Sequence, residues 1–200
     1  MMLIAVTQRV DVVAAYHERR DALDQRWTAF LGQCGAVPLL IPNEPAAARR
    51  LVSTLPVGGL LLTGGNDLCS LGGSSPERDA TERALLDLAL GRGMPVVGVC
   101  RGMQVLQDYW GVSLRRVEGH VTSAHQVTID TADDTVNSYH HFAATDSVAE
   151  LPVWARAADG VVEAVRHVEA PVVGMMWHPE RFAEFRPRDI ALCRDTWRVA

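Results

Sequence analysis

The sequence contains VVGVCRGMQ at residues 96–104, a short apolar run that passes directly into a helical pattern. A buried strand that turns at once into a helix is typical of an α/β sheet. Cys100 occupies the turn, with Gly98 and Gly102 two positions to either side. Small neighbours let the strand and the helix approach closely, while the turn presents its central side chain. The stretch therefore predicts a nucleophile elbow with Cys100 at its tip, although a packed cysteine at a tight turn is the alternative.

Apolar runs of the same kind precede this stretch at residues 3–7, 37–41 and 60–63. Apolar residues at helical spacing separate them, at Leu23, Trp27, Phe30, Leu31 and Cys34, and again at Ala84, Leu85, Leu88 and Ala89. This alternation predicts an α/β fold with an open, mostly parallel sheet and helices on both faces. Shorter strand-like pieces follow at 114–117, 126–129, 153–157, 161–166 and 172–177, and they predict an antiparallel extension. A final helix is expected over 188–198, and residues 1–200 are expected to form one domain.

The composition excludes several classes of protein. A net charge of −5 without a broad basic stripe argues against a nucleic-acid partner. No apolar run reaches eighteen residues, and no signal peptide precedes the first strand, so a cytoplasmic protein with no membrane partner is expected. The cysteines are widely spaced and form no Cys-x-x-Cys, so we expect reduced thiols; they are Cys34, Cys69, Cys100 and Cys193.

Residues capable of chemistry follow four of the predicted strands. They are Thr7-Gln8-Arg9, residues 64–67, Cys100-Arg101-Gly102 and His178-Pro179-Glu180. In open α/β sheets the ligand crevice lies beyond the carboxyl ends of the strands, so these residues are expected to meet. A thiol nucleophile needs a base, and the base needs a partner that fixes its tautomer. We therefore expect Cys100, His178 and Glu180 to form a catalytic triad.

At this point the sequence resembles a known family. GVCRGMQ (98–104) and WHPE (177–180) resemble the two signatures of class I glutamine amidotransferases, and LLTGG (61–65) and VNSYHH (136–141) match in order and spacing. VNSYHH, followed by DGVVEA (159–164), is similar to the γ-glutamyl-γ-aminobutyrate hydrolase (peptidase C26) branch. RDATE (78–82) also matches that branch, although an acidic first helical turn is the alternative. The resemblance implies a flavodoxin-like, class I glutamine amidotransferase-like fold and a hydrolase of linear amides.

The resemblance also implies roles for individual residues. The backbone amides of Gly65 and Arg101 would form the oxyanion hole, and Cys100 would form a γ-glutamyl thioester that water hydrolyses to glutamate. The residues expected to bind the glutamyl group are Gln104, Ser138, Tyr139 and His140, with His141 as the alternative inward-facing histidine. No cofactor is implied. The expected partner is a small γ-glutamyl substrate rather than an obligatory synthetase, and a homodimer is left open.

The opening of the chain bears on the group that leaves. TQRVD (7–11) and ERRDALDQRW (18–27) resemble the γ-glutamyl-CDP-amidate hydrolases of bacterial capsule phosphoramidate pathways, which release cytidine diphosphoramidate. Arginine suits an anionic leaving group, so Gln8, Arg9 and Arg26 are candidate substrate-binding residues. The alternative for residues 18–27 is an amphipathic helix with solvated arginines. Phe142 stands where the hydrolase branch usually has glutamine, so the specificity of that branch for its amine cannot be transferred.

Other functions fit the same motifs. They are a γ-glutamyl-γ-aminobutyrate-type hydrolase of polyamine catabolism, a glutaminase subunit that feeds ammonia to a separate synthetase, and a non-catalytic binding protein of the same fold. A metal hydrolase is a further candidate because of His120, His125, His140 and His141. Adjacent histidines on a strand face opposite ways and no His-Glu-x-x-His occurs, so no catalytic metal is expected.

Overall fold

The centre of the protein is a nine-stranded sheet, and a computed structural model describes residues 1–199. The strands are β1 (Met2–Val6), β2 (Arg9–Val13), β3 (Glu18–Ala22), β4 (Ala36–Leu40), β5 (Val57–Leu62), β6 (Val96–Val99), β7 (Arg115–Arg116), β8 (Val121–Ile129), β9 (Ala132–Tyr139), β10 (Phe142–Ala143), β11 (Val153–Ala157), β12 (Val162–Arg166) and β13 (Val172–Met175). The helices are α1 (Arg26–Gln33), α2 (Pro45–Thr54), α3 (Pro76–Gly91), α4 (Arg101–Tyr109) and α5 (Pro187–Trp197).

The strand order in the main sheet is β4-β1-β5-β6-β13-β12-β11-β8-β9. Strands β4, β1, β5, β6 and β13 pair in parallel, and the pairs from β13 to β9 are antiparallel. The predicted α/β fold with a parallel sheet and an antiparallel extension is therefore confirmed. Because β1, β5, β6 and β13 are neighbours and run the same way, their carboxyl ends lie together at one edge.

Helices cover both faces of the parallel strands. On one face Ile4, Val6 and Val97 pack with Trp27 of α1 and Trp197 of α5. On the other face apolar side chains of β1, β5 and β6 pack with α2, α3 and α4, among them Ala5, Leu60, Leu62, Val96, Val52, Leu85 and Leu106. Strands that are buried on both sides explain why these segments read as continuous apolar runs. None of the helices within residues 1–199 combines the length with the apolar composition that a membrane span requires.

The prediction was less accurate in the second half of the chain. Strands β11, β12 and β13 and helix α5 lie within two residues of their predicted bounds. The piece predicted at 114–117 forms only β7, which pairs with β10 outside the main sheet. Strand β9 was not predicted, because DDTVNSY carries polar and acidic residues at most positions. Strand β9 lies at the edge of the sheet and pairs only with β8. An antiparallel edge strand can expose one face to solvent, which accounts for its polar composition.

The helix considered for residues 18–27 was wrong over its first half. Residues 18–22 form β3, which pairs antiparallel with β2 in a hairpin, and α1 begins only at Arg26. Asp11 and Arg20 lie opposite each other across this hairpin, and opposite charges at facing positions favour a sheet. The hairpin also has tertiary anchors, because the side chain of Asn66 bonds to the N–H and the C=O of Val10. These long-range contacts outweigh the helical pattern of the sequence.

Candidate active site

Cys100 lies at the turn between β6 and α4 in a conformation that few residues adopt. Its φ is 52° and its ψ is −109°, a combination that costs about 1 to 3 kcal/mol for a residue with a side chain. The turn is tight because a Cβ on Gly102 would lie 2.0 Å from the carbonyl oxygen of Leu62. A Cβ on Gly98 would lie 2.7 Å from backbone atoms of Gly102. The two glycines therefore let α4 pack onto β5 and β6, which confirms the predicted elbow geometry.

His178 and Glu180 follow β13 and lie beside the elbow. The Nδ1 atom of His178 is 2.8 Å from Oε1 of Glu180, and both side chains are almost fully buried. The backbone of His178 is fixed by Asn137, whose Oδ1 accepts from its N–H at 2.8 Å and whose Nδ2 donates to its C=O at 2.9 Å. A Cβ on Gly64 would touch both the imidazole of His178 and the Cβ of Cys100, so the two side chains are neighbours.

The surroundings of His178 favour its charged form. Burial alone would lower the pKa of the imidazole, but the charge of Cys100 and a hydrogen bond to it, together with Glu180, raise the pKa to about 9. The helix that begins after Cys100 adds the positive end of its dipole next to the sulfur. The arrangement therefore favours an imidazolium at His178 near neutral pH.

The loop after β5 faces the elbow and is held from behind by a buried arginine. Arg78 has no solvent exposure. Its guanidinium donates to the carbonyl oxygens of Thr63 at 2.8 Å, Gly64 at 3.0 Å and Gly65. Because these carbonyls all point toward Arg78, the loop is fixed in one orientation. Gly65 has a φ of +83°, which suits glycine.

The same arginine belongs to a buried ion network that joins the loop to the elbow. Glu82 accepts from Nε of Arg78 at 3.0 Å and from the guanidinium of Arg101, which also binds Asp79. Arg78, Glu82 and Arg101 are 1% exposed or less. Burial lowers the pKa of Arg78 to about 10, against the opposing effect of Glu82. The network thus connects the two loops that carry the predicted oxyanion donors, Gly65 and Arg101.

Two cavities meet at Gly65. The first, which we call the Cys100 cavity, has a volume of about 240 Å³ and is lined by Gly65, Asn66, Asp67, Cys100, Arg101, Gln104, Tyr139, His140 and His141. It therefore brings together Cys100, both predicted oxyanion residues and three of the predicted glutamyl-binding residues. Gln104 donates to the carbonyl oxygen of Phe142 at 2.8 Å. His140 is buried and His141 is exposed, although both border this cavity.

The second cavity, which we call the Arg9 cavity, has a volume of about 260 Å³ and borders Gly65 and His178. Its lining residues are Arg9, Asp11, Ala22, Leu23, Asp24, Trp27, Thr63, Gly64, Gly65, His178, Glu180 and Arg181. Arg9 forms an ion pair with Asp11 at 2.8 Å and stays about half exposed. The hairpin β2–β3 contributes one wall of this cavity.

Three predicted binding residues lie outside the two cavities. Ser138 donates to the carbonyl oxygen of His120 at 2.7 Å and is fully buried. Gln8 donates to the carbonyl oxygen of Ile41 at 3.0 Å. Arg26 donates to carbonyl oxygens of residues 180, 182 and 183. These side chains support the segments around the site, and their predicted contact with substrate stays a prediction.

Sequence reasoning missed several residues that shape the site. Asn137 belongs to the VNSYHH motif, but no role was assigned to it from the sequence. Asn137 and His178 are far apart in the chain, so nothing in the sequence indicated that Asn137 holds the backbone of His178. Arg78 and Glu82 were recognised within RDATE as a match to the hydrolase branch, with a helix start as the alternative, but neither received a role. Their i,i+4 spacing indicates a pair on one helix face. Arg181 lines the Arg9 cavity and lies 4.9 Å from the ring centroid of Tyr139. Arg181 follows Glu180 directly in the sequence, and this position next to a predicted triad residue could have indicated that it lies at the site.

The fold is that of the class I glutamine amidotransferases. A Thermoplasma acidophilum protein assigned as one of the subunits of GMP synthase superposes with a TM-score of 0.73 over 98% of this chain and 92% of its own, at 17% identity.

The family is defined by sequence. The Peptidase C26 model matches residues 2–126 and 112–180, and the chain belongs to this family. The chain is 28% identical over 187 residues to a γ-glutamyl-CDP-amidate hydrolase of Campylobacter jejuni, with 90% of each protein covered. It is 29% identical over 200 residues to a γ-glutamyl-γ-aminobutyrate hydrolase of Escherichia coli O157:H7, with 80% of this chain and 79% of that protein covered.

Proposed function

We propose that this protein is a cysteine hydrolase that cleaves a γ-glutamyl amide, with Cys100 as nucleophile, His178 as proton carrier and Glu180 as the group that orients it. The observation that carries the proposal is the position of His178, an imidazole with a pKa of about 9 between a buried carboxylate and the thiol. Such a pair supplies a thiolate for attack and a proton for the leaving group. The activities named for the two relatives are of the same class.

The chemistry proceeds in two halves. The thiolate of Cys100 attacks the γ-carbonyl carbon, and the backbone N–H groups of Gly65 and Arg101 stabilise the oxyanion. The C–N bond breaks as the proton of His178 passes to the departing nitrogen, which leaves a γ-glutamyl thioester. Water then gives a proton to His178 and adds its oxygen to the thioester carbonyl. The C–S bond breaks, glutamate departs, and the thiolate of Cys100 and the protonated His178 are restored.

The two cavities correspond to the two halves of such a substrate. The Cys100 cavity would hold the glutamyl group, where Gln104 keeps its carbonyl oxygen as an acceptor for the substrate ammonium. The Arg9 cavity would hold the leaving group, because it borders His178, the residue that must protonate the departing nitrogen. Gly65, which borders both cavities, would then lie at the scissile carbonyl.

The leaving group that we favour carries phosphate, as in γ-glutamyl-CDP-amidate, whose hydrolysis yields cytidine diphosphoramidate. Arg9 and Arg181 both line the Arg9 cavity, and guanidinium groups match phosphate oxygens. The relative named for this substrate matches 90% of both chains. One observation favours the smaller γ-aminobutyrate instead: Asp11 pairs with Arg9, and Asp24 lies in the same cavity, so part of the positive charge is already neutralised.

The test measures glutamate release from γ-glutamyl-CDP-amidate, γ-glutamyl-γ-aminobutyrate and glutamine by the purified chain and by Cys100→Ala. Release by the intact chain alone, with a covalent γ-glutamyl adduct seen by intact-mass spectrometry after rapid quenching, is expected. Turnover by Cys100→Ala at an undiminished rate would refute the mechanism. A chain that is inactive on all three amides until a synthetase is added would instead be a glutaminase subunit.

The choice of leaving group has its own test in Arg9→Gln. Loss of a charge-assisted contact is expected to lower kcat/KM for the phosphate-bearing substrate by about 10- to 100-fold, with a much smaller change for glutamine, whose departing ammonia carries no anionic group. Arg20→Gln is the matched control, because Arg20 lies on the same hairpin, is exposed and pairs with Glu18. Equal losses on both substrates would contradict a role for Arg9 in recognising phosphate.

A further inference from the structure

A second cluster of titratable residues lies behind the Cys100 cavity. Its centre is the carboxylate of Glu163 on β12, which has no solvent exposure. Three imidazole nitrogens converge on its Oε1 atom: Nδ1 of His120 at 3.1 Å, Nε2 of His125 at 3.2 Å and Nε2 of His140 at 3.3 Å. We call these four residues the histidine–glutamate cluster. The proton transfers and bond changes proposed above use none of the four, although His140 also lines the Cys100 cavity.

Hydrogen bonding alone does not account for this arrangement. One carboxylate oxygen offers two lone pairs, yet three nitrogens approach it. The 3.3 Å contact of His140 does not have hydrogen-bond geometry, and within residues 1–199 neither of its ring nitrogens has a hydrogen-bond partner. Oε2 of Glu163 is also buried without a partner in this part of the chain. Both side chains are at most 3% exposed, and groups buried in this way are expected to have partners.

The backbone gathers the cluster through an irregularity in β8. His120 and His125 are five residues apart and would face opposite sides of a regular strand. The register with β9 shifts between Thr122 and His125, so that one extra residue is accommodated on β8. Such a bulge turns the odd spacing into an even one. The N–H of His140 bonds to the carbonyl oxygen of His120 at 3.1 Å, which sets these two rings side by side.

We propose that the histidine–glutamate cluster binds a divalent transition-metal ion of the zinc class. Imidazole and carboxylate are the donors that zinc takes, and ligand atoms around a tetrahedral zinc lie about 3.3 to 3.5 Å apart. The ligand atoms of His120, His125 and Glu163 all lie within 4.8 Å of one another, and Nε2 of His140 lies 3.3 Å from Glu163 as a candidate fourth ligand. His120 presents its other nitrogen, Nε2, to Asp159 at 3.0 Å. A carboxylate behind a metal-binding histidine fixes the tautomer and strengthens the ligand.

The proposed ion is structural and does not touch the reacting atoms. His140 borders the Cys100 cavity between Tyr139 and His141, and the ion would fix this wall from behind. The site therefore predicts stabilisation by metal without metal chemistry in the reaction. This is compatible with the expectation from sequence that catalysis needs no metal.

The test titrates Co²⁺ and Zn²⁺ into the full chain near neutral pH. Cys100→Ala and Cys69→Ser serve as background substitutions, because exposed or reactive thiols bind the same ions. One equivalent of Co²⁺ with the visible bands of a tetrahedral nitrogen–oxygen site is expected. Zinc at a hundredfold excess over its dissociation constant is expected to raise the Tm by about 5 to 10 °C.

Variants identify the site. His125→Asn removes the most exposed ligand of the cluster and is expected to abolish stoichiometric binding. Asp159→Asn is expected to weaken binding by about 10- to 100-fold, and it leaves an oxygen for the N–H of Val161. His17→Asn is the matched control, since His17 is exposed at a positive φ that asparagine accepts. No stoichiometric binding, or binding that His125→Asn leaves unchanged, would overturn the proposal.

Discussion

The buried arginine behind the loop of Gly65 gives a prediction whose size follows from its contacts. Arg78 donates to six oxygen atoms: three carbonyls, a hydroxyl, an amide oxygen and the carboxylate of Glu82. Arg78→Lys keeps the charge but leaves three N–H donors on one nitrogen. If two buried carbonyl oxygens lose their donor, the expected loss is about 2 to 6 kcal/mol of unfolding free energy. Urea denaturation measures it.

The same substitution separates oxyanion stabilisation from nucleophile activation. A misplaced Gly65 N–H is expected to lower kcat by up to about 10²- to 10³-fold. Alkylation of Cys100 by iodoacetamide needs the thiolate but no oxyanion hole, so its rate is expected to stay close to that of the original chain. Arg83→Lys is the control, because Arg83 is exposed and pairs with Asp108 at the surface. Unchanged kcat in folded Arg78→Lys, or alkylation that falls as steeply as hydrolysis, would refute the reasoning.

Two further predictions concern the elbow and its histidine. Because the pKa of His178 is raised to about 9, its charge stabilises the folded state fully below about pH 6.5. That contribution to stability disappears as the pH rises toward 9. The rate of hydrolysis is expected to decline over the same pH range. In Cys100→Ala the imidazole titration, followed by NMR, is expected to move to lower pH, and an unmoved titration would exclude the thiolate as its cause. Gly102→Ala places a methyl group against a backbone carbonyl and is expected to cost about 3 kcal/mol or more in urea denaturation. Gly32→Ala, with nothing within 4 Å of the added carbon, is expected to be neutral or stabilising, and equal stabilities of the two variants would contradict the packing argument.

The parallel half of the fold could be predicted from the sequence. Its strands are buried on both faces, and each therefore appears in the sequence as a continuous apolar run. The neighbourhood of Cys100 and His178 followed from the same fact, since parallel neighbours bring the residues after them to one edge. The contents of that edge were therefore predictable without coordinates. The direction of each side chain was not predictable. Gln8 and Arg26, for example, bond to backbone carbonyl oxygens of neighbouring segments and do not line either cavity.

The remainder depends on contacts between segments that are distant in sequence. The hairpin β2–β3 forms because Asn66 and Asn43 bond to it from other loops. These hydrogen bonds join segments that are far apart in sequence, so no local sequence pattern predicts them. Strand alternation was used against a metal site only for the adjacent His140 and His141. It was not applied to His120 and His125, which one extra residue in the register of β8 brings to the same side. The buried ion network was equally hard to predict, because the i,i+4 spacing of Arg78 and Glu82 places them on one helix face but does not show that this face is buried.

The hairpin β2–β3 is a separate two-stranded sheet that shares no ladder with the nine-stranded one. It supplies Arg9, Asp11 and Ala22 to the Arg9 cavity, whereas Cys100 and its histidine come from the main sheet. Under the proposed mechanism, leaving-group recognition and bond cleavage are thus encoded in different parts of the chain. The sequence between residues 9 and 22 could therefore change during evolution and alter which amide is cleaved, while the residues of the reaction centre stay the same. The same segment is the natural place for loop grafting and directed evolution.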